Sequence, residues 1–213
     1  MKSLKKAVLA ALLLASAATQ ASTVTWNTTR MEGTSNVTFQ LNGVKVNALA
    51  GAIVGNISGW GVRDGEYYSF CSDPSTAYSS HFDGTATPIT GELGTFLSYI
   101  YYGMRGAQDY ASAQLAVWEG VVDVAQGISP DFATGSFVSG DALVQGAIDI
   151  LDRGMIVAAT APAVQFWNID PYDQSKQSFA ISTLVQTVPE PASAAMVALG
   201  LFGLWGSQRR RTV

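Results

Sequence analysis

The chain has 213 residues, of which 48% are hydrophobic, and a net charge of −4. It contains one cysteine and one histidine. A lone cysteine excludes an intramolecular disulfide, no metal-ligand spacing or cofactor motif is present, and the acidic balance offers no basic surface for nucleic acid. Six of the twelve basic residues lie in the two terminal segments described below, so the part between them is more acidic than the net charge suggests.

Residues 1–21 are predicted to be a secretory signal peptide. Lys2, Lys5 and Lys6 precede an apolar run over residues 7–14, and small residues follow up to Ala21. This order of charged, apolar and small-residue regions is typical of a cleaved export signal. Cleavage after Ala21 is expected, with Ala18 as the alternative. The apolar run is well short of the ~20 residues that a membrane-spanning helix requires.

Residues 22–187 have the length of one domain and begin with strand patterns. Two alternating runs in "NVTFQLNGVKVNAL" flank Asn42-Gly43, the dipeptide most typical of a β-hairpin turn. The stretch "GEYYSFCSD" predicts another strand. Side chains alternate along a strand, so it has two faces. Tyr68 and Phe70 are expected on one face, and Tyr67, Ser69 and Cys71 on the other.

A helical period replaces the strand pattern from Gly91 onward. Apolar residues at three- and four-residue spacings predict one helix from Gly91 and a second from about Asp109. A third is expected over 139–154, with a polar cap at Ser139 or Asp141 and an end at Gly154. Strand character returns at 163–169 and 177–185. The order predicts an α+β fold: a mostly antiparallel β-sandwich or barrel-like body with a helical insert, flanked by an N-terminal signal helix and a C-terminal sorting helix.

Residues 188–213 have three ordered features. The triplet Pro189-Glu190-Pro191 breaks the chain, residues 192–206 are apolar, and Arg209, Arg210 and Arg211 follow. An apolar segment before a basic cluster is typical of a stop-transfer signal held at the inner membrane. The segment is short for a permanent span, which suits transient anchoring.

This tail closely resembles the PEP-CTERM sorting signal. The resemblance implies a Gram-negative bacterium and processing near the Pro-Glu-Pro triplet by an exosortase, with transient passage of residues 192–206 through the inner membrane. The processed protein is then expected at the cell surface or outside the cell. The tail carries no information about the chemistry of residues 22–187.

Two stretches of the body carry candidate chemistry. "EYYSFCSDPS" contains Cys71, and "SAQLAVWEG" places Gln114 on the apolar stripe of the second helix. A buried carboxamide without partners costs roughly 1–3 kcal/mol. Together the two stretches resemble the thioester domains of bacterial surface proteins, in which an aromatic-flanked cysteine bonds to the glutamine of a "[T/A]-Q-x-A-[I/V]-W" helix motif.

The resemblance covers residues 65–125 and implies a Cys71–Gln114 thioester. Cysteine is a strong nucleophile for this reaction, and the fold would supply proximity. An amine on a surface or matrix polymer would open the bond and stay attached to Gln114. This describes a single-use adhesin or cross-linker and not an enzyme. Loss of Gln114 would be neutral for stability if its carboxamide were buried only to react. Motif or shielding positions are Tyr67, Tyr68, Phe70, Asp73, Ala116 and Trp118.

Two other hypotheses remain open at this stage. Free cysteines are often simply packed in the core, so the protein could be a non-covalent binding or structural surface protein with an inert Cys71. A cysteine hydrolase would instead require Cys71 to meet His81 in space. No glycine motif of the oxyanion type flanks Cys71.

Overall fold

The computed structural model describes residues 22–184. The signal-peptide and sorting segments, including residues 189–191 and 209–211, lie outside the described residues, and so does the predicted sorting helix over 192–206. The described strands are β1 (Ser22–Leu41), β2 (Val44–Ser58), β3 (Gly65–Cys71), β4 (His81–Ile89), β5 (Phe137–Val138), β6 (Val164–Pro171) and β7 (Phe179–Leu184), and the helices are α1 (Gly91–Gly103), α2 (Tyr110–Val122) and α3 (Val144–Ala158).

Strands β1 and β2 form the predicted hairpin. Their register runs from Leu41 opposite Val44 to Thr25 opposite Ser58, with irregularities near Thr28 and Glu32. Asn42 and Gly43 both have positive φ, 50° and 78°, as the tight primed turns of hairpins require. The Asn-Gly signal therefore predicted both the turn and its position.

The hydrogen-bonded strand order is β2-β3-β7-β6-β4-β1-β5, and the β1–β2 pairing closes it. Every pairing whose register is defined is antiparallel. Closure leaves β5 as a short addition to the far end of β1. The predicted α+β fold with a barrel-like antiparallel body is confirmed, and α1–α3 form the expected insert between β4 and β6.

Two hydrophobic clusters occupy the body. One lies among the barrel strands and includes Trp26, Phe82 and Phe179. The other lies where the helices cover the outer part of the hairpin, and it contains both Cys71 and Trp118. The candidate site therefore belongs to the interface between helices and strands and not to the barrel interior.

The third helix differs from its prediction at both ends. It begins at Val144, no side chain caps its first turn, and it passes Gly154 to end at Ala158. Asp141 instead accepts the Leu143 N–H in the preceding turn. Gly154 does not stop the helix because it serves packing: a Cβ there would collide with the Tyr99 backbone of α1.

Candidate functional site

Cys71 is the last residue of β3, at the point where the strand ends beside α2. Its backbone pairs with Phe179 of β7, and its side chain is 3% exposed. The thiol lies 3.1 Å from the Asp73 carbonyl oxygen and donates to it. The sulfur is thus buried and protonated, with a defined partner two residues along the chain.

Gln114 lies in the second turn of α2 and is 1% exposed. Every residue from Ala111 to Gly120 is buried, so this helix has no solvent-facing side over that stretch. A helix surrounded by protein needs small residues where neighbours approach, and α2 supplies alanines and a glycine, including Ala116. The predicted apolar stripe was correct but too narrow.

The structure brings Cys71 and Gln114 together. The Cys71 N–H donates to Gln114 Oε1 at 2.9 Å, and Gln114 Nε2 donates to the Cys71 carbonyl oxygen, also at 2.9 Å. The carboxamide therefore pairs with the Cys71 backbone as a neighbouring strand would. These two bonds fix the glutamine side chain beside the residue that carries the thiol, across 43 positions of sequence.

Burial controls the charge state of the sulfur. It raises the pKa of the Cys71 thiol to about 12, against smaller lowering effects from the Trp118 side chain and the Asp73 backbone. Desolvation disfavours a thiolate, so the group is a neutral thiol at physiological pH. A reaction at this sulfur requires the proton to leave as the new bond forms.

Asp73 organises the turn after β3. Its Oδ1 accepts from the Ser75 N–H at 2.9 Å and the Ser75 hydroxyl at 2.6 Å, and its Oδ2 accepts from Thr76. Burial opposes ionisation, but these hydrogen bonds keep the pKa of the carboxyl below its usual value. The carboxylate is occupied by the turn, and the site uses the Asp73 backbone carbonyl instead.

A cavity with a volume of about 400 Å³ adjoins Cys71 and Gln114. Cys71, Gln114, Trp118 and Gln177 line it together with residues of the β1–β2 hairpin and of the 74–78 turn. None of its lining side chains is charged. The cavity offers a small molecule a weakly polar route to Cys71 and Gln114.

Most of the aromatic residues expected to shield the sulfur lie elsewhere. Tyr68 and Phe70 face Tyr110 and line a separate cavity, as strand alternation requires. Tyr67 packs toward Trp60, and its hydroxyl donates to the Arg63 carbonyl. Of the predicted aromatic shields, only Trp118 lines the cavity that contains Cys71.

Gln177 is a site residue that sequence reasoning missed. Its Nε2 donates to the carbonyl oxygens of Asp73 and Thr76, at 3.1 and 3.4 Å, and so closes the turn beside the thiol. It arrives there because β7 pairs with β3, a register that no local pattern in the sequence specifies.

The Cys71–His81 pairing required for a hydrolase is not formed. His81 begins β4 and is exposed, and its Nδ1 hydrogen-bonds Asn27 at 2.6 Å. The thiol has the Asp73 carbonyl as its partner. Within residues 22–184 no group of three or more His, Cys, Asp or Glu side chains is placed to hold a metal ion.

The C-terminal segment was compared with known protein families. Residues 187–211 match the PEP-CTERM protein-sorting motif. The match confirms the resemblance of the tail, and the motif indicates export, exosortase processing and sorting to the cell surface. In the described part of the chain no helix has the length and apolarity needed to cross a bilayer.

The chain has a structural neighbour among solved structures. The N-terminal thioester domain of a surface protein from Clostridium perfringens is similar at 14% identity, covering 77% of this chain and 100% of that one, with a TM-score of 0.44. Likeness at that score decides nothing about the chemistry of Cys71. No curated protein matches the chain.

Proposed function

We propose that this PEP-CTERM protein forms an internal thioester between Cys71 and Gln114 and uses it once to attach covalently to an amine. The observation that supports the proposal most directly is the reciprocal hydrogen bonding that holds the Gln114 carboxamide on the Cys71 backbone. The residues lie on different elements, so the fold itself creates their proximity.

Thioester formation balances without an external reagent. Cys71 Sγ attacks the Gln114 side-chain carbonyl carbon, the thiol proton passes to the amide nitrogen, and ammonia leaves. The Cys71 N–H already donates to Oε1, the atom that becomes negative in the tetrahedral intermediate. Proximity of this kind lowers a barrier by roughly 7–11 kcal/mol, which offsets the scarcity of thiolate at a thiol with a raised pKa.

Reaction with an amine reverses the charge movement. The amine nitrogen attacks the same carbon, the carbon–sulfur bond breaks, and one amine proton ends on Cys71 Sγ. The amide that remains at Gln114 is stable, so the protein does not turn over and is not an enzyme. An uncharged cavity admits a neutral amine more readily than an ammonium ion, because a buried charge without a partner is costly. An amine-bearing surface or matrix polymer is the partner class.

Intact mass tests the proposal. The full chain is expected to be one ammonia lighter than the sequence between its observed termini, and to add methylamine once at Gln114. Cys71→Ala and Gln114→Ala each remove one reacting group, so both are expected to show full mass and no methylamine adduct. Full mass in the wild-type chain, with a free Cys71 thiol after denaturation, would rule the thioester out.

A non-covalent surface protein is the second candidate, and one observation favours it. Both hydrogen-bonding ends of the Gln114 carboxamide are satisfied, so the pair can act as an unreacted link between strand and helix. In that case Cys71 is a packed core residue. The same mass measurement separates the two candidates, because only the thioester loses ammonia.

A further inference from the structure

The indole nitrogen of Trp118 is buried and has no hydrogen-bond partner of normal geometry among residues 22–184. The residue is 2% exposed. An unsatisfied buried N–H costs roughly 1–3 kcal/mol, and such groups are rare enough that each requires a cause.

The position of Trp118 relates this nitrogen to the reacting pair. Trp118 follows Gln114 by four residues on α2, so the two side chains lie on the same helix face. Both line the cavity that also contains Cys71. The indole ring is held from behind by Phe39 and Phe137, with centroids at 4.9 and 6.4 Å.

The Trp118 side chain affects the pKa of the Cys71 thiol. The Trp118 N–H is near enough to lower the pKa of the Cys71 thiol, although the neutral thiol accepts no well-formed hydrogen bond from it. A neutral thiol sulfur is a weak acceptor, whereas a thiolate is a strong one. The donor is thus present before the negative charge that would use it.

We propose that Trp118 is a catalytic residue of the thioester chemistry, whose indole N–H donates to Cys71 Sγ whenever that sulfur carries negative charge. This inference rests on the proposed function. When the thioester forms, the thiol proton passes to the Gln114 amide nitrogen, which leaves as ammonia. The indole N–H stabilises the negative charge that develops on Cys71 Sγ during this transfer. When an amine opens the thioester, the N–H stabilises sulfur as the carbon–sulfur bond breaks and before the amine proton arrives.

The chain contains a matched control for this role. Trp60 also has a buried, unpartnered indole nitrogen. It lies in the barrel cluster, packed edge-on against Trp167 at 5.0 Å. Trp60→Phe therefore removes an equivalent N–H away from Cys71, and Trp118→Phe removes the one beside it.

The first experiment measures the rate at which methylamine adds to the full chain, by intact mass over time. Trp118→Phe is expected to slow this addition about tenfold to a hundredfold, the range of a hydrogen bond to a charged group. Trp60→Phe is expected to leave the rate unchanged. Because phenylalanine is also smaller, Trp118 is in addition replaced by benzothienylalanine, which keeps the ring shape and exchanges only the N–H for sulfur.

A second measurement follows the sulfur without the thioester. In the Gln114→Ala chain, the rate of Cys71 alkylation by iodoacetamide is recorded against pH, with and without Trp118→Phe. Loss of the donor is expected to raise the pKa of the Cys71 thiol and so move the rise in alkylation to higher pH. Looser packing alone would have the opposite effect, because it admits water, desolvates the thiolate less and lowers the pKa.

The outcomes separate the two proposals. If the wild-type chain has its full mass, the thioester and a catalytic Trp118 are both overturned. If the thioester forms, but the benzothienylalanine chain adds methylamine at the wild-type rate and the alkylation profiles coincide, the role of Trp118 alone is overturned.

Discussion

The Gln114 carboxamide accepts from and donates to the backbone of one residue, Cys71. Its removal would leave the buried N–H and carbonyl of Cys71 without partners and is therefore expected to lower stability. A carboxamide that was buried only to react could instead be removed with no change in the free energy of unfolding. The cysteine side chain takes no part in these two bonds. In the proposed reaction the same carboxamide atoms also change, because Oε1 becomes negative and Nε2 leaves as ammonia. The stabilising role of Gln114 can therefore be measured separately only where the thiol is absent.

The first prediction separates the stabilising role of the Gln114 carboxamide from thioester formation. In a Cys71→Ala background, where no thioester can form, adding Gln114→Ala is expected to lower the free energy of unfolding by about 1–3 kcal/mol, because it strands buried polar groups. Urea denaturation of the single and double variants measures the difference. Equal unfolding midpoints and slopes in the two chains would mean that the carboxamide contributes no net stability there.

The sequence singles out the two residues of the candidate site but not their contacts. The motif around Gln114 and the lone cysteine singled out the pair, and period-two alternation placed Cys71 and Tyr68 on different faces. Gln177 was missed because its place depends on the β3–β7 register. The proposed donor role of Trp118 is likewise not predictable from the sequence, because the direction of an indole N–H depends on the aromatic packing around it.

At the scale of elements, the end of α2 carries two buried carboxylates. Glu119 Oε1 accepts the Asp131 N–H at 2.7 Å, and Asp123 accepts the N–H groups of Ser136 and Phe137 at 2.9 and 3.0 Å. These bonds tie the segment between α2 and β5 to the helix. The other oxygen of Glu119 has no partner, so this carboxylate is incompletely compensated.

The second prediction concerns pH. Burial, reinforced by the charges of Asp123 and Asp131, raises the pKa of Glu119 to about 7 from 4.5. The folded state then holds this proton more tightly than the unfolded state, so stability falls as pH rises between about 4.5 and 7. Glu119→Gln removes the ionisation and is expected to increase stability above pH 7 by about 1–3 kcal/mol.

Unfolding in urea across a pH series measures this effect. The difference between variant and wild type should grow from pH 4.5 to pH 7 and then remain constant. Asp123→Asn is the contrasting control: it sets an amide N–H group against a backbone N–H and is expected to destabilise at every pH. A Glu119→Gln difference that does not vary with pH would contradict the assigned ionisation.

Helix α3 approaches α1 closely because glycine stands at the crossing. A Cβ on Gly154 would collide with the Tyr99 carbonyl. The third prediction is therefore that Gly154→Ala pushes the two helices apart and lowers the free energy of unfolding by about 1–3 kcal/mol. This loss is expected although alanine has the better helix propensity. Thermal unfolding measures it. Gly140→Ala, where a Cβ meets nothing within 4 Å, is expected to be silent. Unchanged stability in Gly154→Ala would show that the interface yields at no cost.

Local sequence signals predict some boundaries of helices and strands in this fold but not the end of the third helix. The Asn42-Gly43 turn was predictable because positive φ is a local requirement that the dipeptide itself satisfies. Because glycine is common at helix ends, the sequence predicts that the third helix ends at Gly154, but the helix continues past it and packs closely on α1 there. The barrel closure likewise depends on pairings between distant strands, such as β3 with β7.

At the scale of the whole molecule, the sorting motif and the candidate thioester site lie in separate parts of the sequence. The sorting motif covers residues 187–211, and the hydrogen bonds of the candidate site lie within 71–177. Chemistry at Cys71 is therefore expected to be independent of processing at the tail. Under the proposed function, the exported protein would meet its target amine outside the cell.

The last prediction tests that independence. In a host with an exosortase, replacing Pro189, Glu190 and Pro191 with alanine is expected to leave the chain uncleaved at its C-terminus, because these residues lie in the matched sorting motif and the PEP-CTERM resemblance implies processing near the triplet. Intact mass and cell fractionation measure this directly, and the same mass spectrum reports whether the Cys71–Gln114 ammonia is lost. The expected result is a longer, retained chain that is still one ammonia light and still adds methylamine. Cys71→Ala should give the reverse: normal processing at full mass. Loss of the ammonia signature in the triplet variant would show instead that the thioester forms only after sorting, and that the two parts of the chain act in sequence.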